Sequence, residues 1–185
     1  MMVLLCPLVQ GQQLSPTDAY KAGHSSHGGA FDEGPRQKPW ALPGIGRASF
    51  PITTRNAEVQ KWFDQGNALL HSFWFYEAER AFRWCLKLEP DNAMAYWGLA
   101  AATTDRRASG KVRAVDFIRE AAKRKATVTD RERLYIEAWE AMLLPDPLQV
   151  KDDENDYDRR RRDHLKKLET LCVKYPNDLE AKAYL

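Results

Sequence analysis

From Asn56 onward, apolar side chains recur at the three-and-four spacing that gathers them on one face of a helix. Val59, Trp62, Phe63, Gly66, Leu69 and Leu70 form the first such stripe. Thr54 or Asn56 offers an N-cap oxygen to the unpaired amides at its start. A turn is predicted over 72–75. A second stripe follows through Ala78, Ala81, Phe82, Cys85, Leu86 and Leu88, and Pro90-Asp91-Asn92 ends it. A third helix is expected from Ala93, with Tyr96, Leu99 and Ala100 inward. Its partner is expected from about Lys111 to Lys125, buried through Val112, Val115, Ile118, Ala121 and Ala122. Thr129-Asp130-Arg131-Glu132 reads as a capping box opening a fifth helix. That helix is lined by Leu134, Tyr135, Ala138, Trp139 and Met142 and stopped by Pro145 and Pro147. After a polar linker around 144–156, a sixth stripe runs through Leu165, Leu168, Leu171, Cys172 and Tyr175. Pro176-Asn177-Asp178 then repeats the earlier closing signal. Leu179 to Leu185 begin a fourth pair too short to bury a face, which predicts further hairpins in the natural protein.

Upstream the pattern is lost. Residues 14–50 carry closely spaced glycines and prolines that break regular elements and predict a loop-rich arm, pinned to the helices by Trp40, Leu42 and Ile45. Residues 1–13 hold an apolar run, MMVLLCPLV, followed by small and polar residues, similar to the core and cleavage region of a secretory signal. No Lys or Arg precedes that run and Pro7 interrupts it. Both an exported and a cytoplasmic location therefore stay open. The division expected is 1–13 signal-like, 14–50 arm and 51–185 helical repeat.

The repeat itself is specific. Counting from Val59, a large aromatic falls fourth (Trp62), glycine eighth (Gly66) and a bulky apolar residue eleventh (Leu69). Alanine is twentieth (Ala78), Phe82 twenty-fourth and Pro90 thirty-second. In these residues the chain resembles the tetratricopeptide repeat, a helix–turn–helix unit of about 34 residues. Gly66 and Ala78 are expected to let the paired helices approach, with Trp62 and Phe82 filling the space around them. Cys85 and Gln65 depart from the pattern, standing where a small and an apolar residue are usual. The phrases Trp62-Phe63-Asp64-Gln65-Gly66 and Ala93-Met94-Ala95-Tyr96-Trp97-Gly98 are also similar to a group of bacterial tetratricopeptide proteins. The resemblance implies an all-α superhelix of about three hairpins, working as a scaffold or binding module.

Composition narrows the chemistry. Lys plus Arg (28) nearly balance Asp plus Glu (26), so no global field steers the chain to nucleic acid, and no apolar stretch is long enough for a membrane span. Eight basic residues at 106–125, among them Arg113, Arg119 and Lys123, face only Asp116 and Glu120. They read as a solvated outer face, with an acidic partner as the alternative. Acids at 152–158 followed by Arg159–Arg162 fit a helix start and i,i+4 pairing; Tyr157 and Asp163 stand where a calcium loop needs Gly and Glu. His24 and His27 have a metal-pair spacing without a third ligand. His71, His164, Cys85 and Cys172 form no catalytic spacing. No enzyme activity and no cofactor are expected.

Half of the chain's aromatic residues lie between Trp62 and Trp97, mostly as helix packing. In stacked repeats the first helices line the concave face. This places Phe63, Asn67, Leu70 and His71 there, joined by Met94, Trp97 and Ala101. Such an aromatic and amide groove suits a peptide or partner domain with apolar anchors. A carboxylate clamp for chaperone tails is not expected, because only Asn67 matches it. The alternative is a structural segment or accessory domain of a larger protein, its groove filled by the arm or by further repeats.

Overall fold

The computed structural model describes residues 34–35, 37–104, 108–144 and 154–185. The signal-like segment, His24, His27, Arg106 and Arg107 lie outside these. The described chain is all α, with seven helices packed as sequential antiparallel pairs. They are α1 (Ala57–His71), α2 (Phe75–Leu88), α3 (Ala93–Thr103), α4 (Ala108–Arg124), α5 (Asp130–Leu143), α6 (Glu154–Lys174) and α7 (Leu179–Tyr184). Each first helix packs on its partner, and each partner on the next first helix. In addition α1 touches α3, and α3 touches α5. The first helices therefore form the inner layer.

The boundaries follow local chemistry. Asn56 caps α1 by accepting from the Glu58 amide, and Asn92 caps α3 by accepting from Ala95. Thr129 and Glu132 form the reciprocal box at α5, and Asp178 accepts from Ala181 at α7. Each cap satisfies donors that a helix start leaves unpaired, worth about 1 kcal/mol.

Phe82 of α2 is the pivot of the first two hairpins. A methyl group at Gly66 on α1 would come within 2.7 Å of its ring, and one at Gly98 on α3 within 2.5 Å. Two glycines on neighbouring inner helices thus receive the same ring. The space at Gly66 goes to an aromatic side chain, not to bare backbone contact alone.

One stripe differs from expectation. In α4 the fully buried positions are Ala114, Phe117, Ile118 and Ala121, while Val112 is 63% exposed and Val115 and Ala122 are half-buried. Phe117 decides this rotation. Burying one phenyl ring removes more apolar surface from water than burying the two valines on the neighbouring stripe. Expected pairing within α6 is present: Asp156 meets Arg159 and Arg160, and Arg159 also meets Asp163.

Candidate interaction site

The inner layer is built from one aromatic ring per first helix: Phe63 on α1, Trp97 on α3 and Tyr135 on α5, all fully buried. Phe50 of the arm sits among them. Its ring lies 5.3 Å from Phe63, 5.5 Å from Trp97 and 4.6 Å from Tyr135. Tyr184 of α7 approaches from the other side, 5.4 Å from Trp97 and 5.0 Å from His71. These edge-on and tilted contacts place ring edges on ring faces, the favoured electrostatic arrangement.

Polar groups hold both inserts in place. Three side chains along α1 bind the backbone of the arm. Asp64 accepts from the Phe50 amide and Gln60 from the Ile52 amide, while Gln65 accepts from Leu42 and donates to the Trp40 carbonyl. Burial raises the Asp64 carboxyl above its usual value, against the Phe50 amide and the Gln60 side chain, which favour its charge. On α5, Glu132 accepts from both the amide and the hydroxyl of Thr53 in addition to its capping role. At α7 the Asn67 amide donates to Glu180 at 2.7 Å, and the Tyr184 hydroxyl donates to Asn67 Oδ1 at 2.7 Å. His71 Nε2 meets the same Glu180 carboxylate at 2.8 Å. Burial pushes the Tyr184 phenol well above its ordinary value.

Of the residues expected in the groove, Phe63 and Trp97 come together around Phe50, and Asn67 and His71 share Glu180. Leu70 and Met94 are buried in the core, and Ala101 is half-buried against it. Leu42 and Ile45 pack on the core as expected, whereas Trp40 remains mostly exposed. Phe50, Tyr135, Glu180 and Tyr184 complete the inner face without having been singled out for it. Gln65, polar where the resemblance leads one to expect an apolar residue, was the one sequence signal that something other than a helix lies on that face.

An open cleft of about 1090 Å³ adjoins this inner layer at the edge where α1, α5 and α7 begin. Residues 51–55 form one wall, Lys174 to Leu179 the other, and Arg131 with Glu132 the floor. Arg131 lies over the rings of Phe50 and Tyr135, donates to Asp178 at 2.6 Å and reaches the Pro51 carbonyl at 3.0 Å. Burial works against the Asp178 charge. Donation from Arg131, the Tyr135 hydroxyl and the Ala181 amide outweighs it, leaving the carboxyl below its usual value. At the rim, Lys174, Tyr175 and Arg133 hold Asp130 far below the ordinary carboxylate range. The cleft thus combines apolar walls (Pro51, Ile52, Tyr175, Pro176, Leu179) with a fixed, charge-balanced floor.

The basic face of α4 is largely engaged. Arg113 meets Glu79, Arg119 meets Asp116, and Lys123 and Arg124 meet Glu120. Arg124 also reaches Asp91, and Lys125 reaches Glu140. Cys85 is buried, and its thiol is pushed up by that burial. Among the described residues, no three His, Cys, Asp or Glu side chains are grouped to hold a metal, and no helix is long and apolar enough to cross a membrane. No protein-family model, curated protein or solved structure matches this chain.

Proposed function

We propose that this chain is a protein-interaction scaffold of the tetratricopeptide type, which receives a peptide or partner segment in the cleft at the start of its inner helices. The regular glycine, alanine and proline spacing and the sequential antiparallel hairpins support the repeat assignment. The observation that carries the functional reading is the cleft itself. The inner face between Phe63 and Trp97 is occupied by Phe50 and Tyr184, and the adjoining open volume is walled by apolar side chains over a charge-balanced floor. Such a surface gives apolar anchors a seat and polar groups a register. Selection of a random peptide library on the full chain tests it. Enriched peptides should lose binding at least tenfold on Tyr175→Ala or Asn177→Arg. Absence of enrichment, or binding indifferent to both changes, ends this reading.

A second reading is that the chain is a structural segment of a longer assembly. It is favoured by the filled inner face, where Asn67 and Trp97 are both fully buried against the chain's own residues. On that reading Phe50→Ala and Tyr184→Ala lower stability and change no binding property.

A further inference from the structure

The turn between α1 and α2 carries side chains that its backbone does not favour. Phe73 sits at φ +60°, the left-handed region where glycine or asparagine is the low-cost choice and a bulky ring is rare. The next residue, Trp74, is the N-cap of α2 and makes no side-chain capping bond, and its indole supplies no acceptor of the kind Asp, Asn, Ser or Thr carry. Two adjacent positions therefore forgo local stability, and both hold large aromatics facing water. Phe73 is 78% exposed, and Trp74, Tyr76 and the neighbouring Trp40 are each 55% exposed. Arg80 joins the group by lying over Trp40 and Tyr76 at 5.3 and 5.5 Å.

We infer that this aromatic tip is a self-association surface, on which a second copy of the chain docks its own Phe73, Trp74, Tyr76 and Trp40. Charge favours a copy over a membrane. Arg80 is held by Glu77 and Gln37, His71 by Glu180, and Lys38 lies 3.4 Å from Glu58. Among the described residues, the tip thus presents no ring of uncommitted cations to anionic headgroups. A neutral apolar patch meets its own image without repulsion, and two-fold pairing of identical patches is the commonest closed assembly. Area fits as well. Such rings bury roughly 150–250 Å² each. At these exposures the four offer roughly 500 Å² per copy, about 1,000 Å² across the pair, the lower bound for a specific interface. The exposed Trp and Tyr side chains are residue types favoured at energetic hot spots.

Sedimentation equilibrium of the full chain from micromolar to millimolar concentration tests this, alongside Phe73→Gly and Trp74→Asp. Phe73→Gly suits the left-handed backbone and Trp74→Asp places a carboxylate at a helix start, so at micromolar concentration, where the parent is a single copy, each variant is expected to melt at or above the parent temperature. The parent's mass should climb from 21.3 kDa toward twice that value, and both variants should remain at 21.3 kDa. A parent that stays a single copy throughout, or variants that associate like the parent, overturns the inference. So does a fall in melting temperature in both variants at micromolar concentration, where the parent is a single copy, because that makes the rings part of the fold. Flotation of the single-copy parent with phosphatidylcholine vesicles, lost in the variants, assigns the tip to a lipid surface and overturns it equally.

Discussion

Phe82 shows how a single ring couples two hairpins. Alanine at Gly98 gains helix propensity of about 1 kcal/mol but drives a methyl toward the inner part of a buried ring (Cγ at 2.7 Å) that cannot swing away. At Gly66 the obstructing atoms lie at the ring's far side, where a small tilt relieves them. Gly98→Ala is therefore expected to be the more damaging, by a net loss of roughly 1–3 kcal/mol, with Gly66→Ala milder. Urea titrations measure both, and Phe82→Leu combined with Gly98→Ala should recover part of the loss through their coupling. Phe50→Ala is expected to cost about 3–5 kcal/mol, because its ring touches all three inner helices. Near-ultraviolet circular dichroism and denaturant midpoints report that change. Residue roles were unevenly readable. Gly66 and Phe82 declared themselves through fixed spacing, whereas Phe50 lies in a segment without periodicity, and no stripe marks it as buried.

At the level of elements, α5 does two tasks with one carboxylate. Glu132 closes the capping box and also anchors Thr53, just ahead of α1. Thr129→Ala should cost about 1 kcal/mol as an ordinary cap. Glu132→Ala should cost more, roughly 2 kcal/mol, because the two bonds to the exposed Thr53 are lost together with the capping bond. Denaturant midpoints of the two variants decide this. Between α5 and α6, His164 donates from Nδ1 to the Ala138 carbonyl at 2.8 Å, and burial sets its pKa below the ordinary 6.5. The unfolded chain then binds this proton before the folded one does. Stability is full above about pH 6.5 and declines as pH falls below it. His164→Gln should flatten the fall in urea midpoint between about pH 7 and pH 5. Helix boundaries were legible because caps and prolines act over a few residues. The rotation of α4 was not, since the helical spacing of Val112 and Val115 conveys hydropathy alone, while the volume of Phe117 fixed the buried side. Of the polar triad Gln60, Asp64 and Gln65, only Gln65 was legible, as an oddity, because the partners are backbone atoms of an irregular segment.

Across the whole molecule, a stack of hairpins held by neighbour contacts alone would melt from its ends. Here Arg131 reaches Pro51 and Thr53 reaches Glu132, while Asn67 binds Glu180 and Tyr184. These ties link α5 to the segment just ahead of α1, and α1 to α7. Unfolding is therefore expected as one cooperative transition, with hydrogen-exchange protection of α1 and α5 lost together. Tyr184→Ala should split the transition or lower protection in α1 selectively, as mass-resolved exchange will show. The same ties impose an order in time. Asn67 is separated from Glu180 by 113 positions and from Tyr184 by 117. At a ribosomal pace of roughly 5–20 residues per second, the interval between making donor and acceptor is on the order of 6–20 s. For most of that interval the nascent polypeptide has Asn67 and Trp97 without Tyr184, their final cover, and holdase chaperones have a defined window in which to engage it.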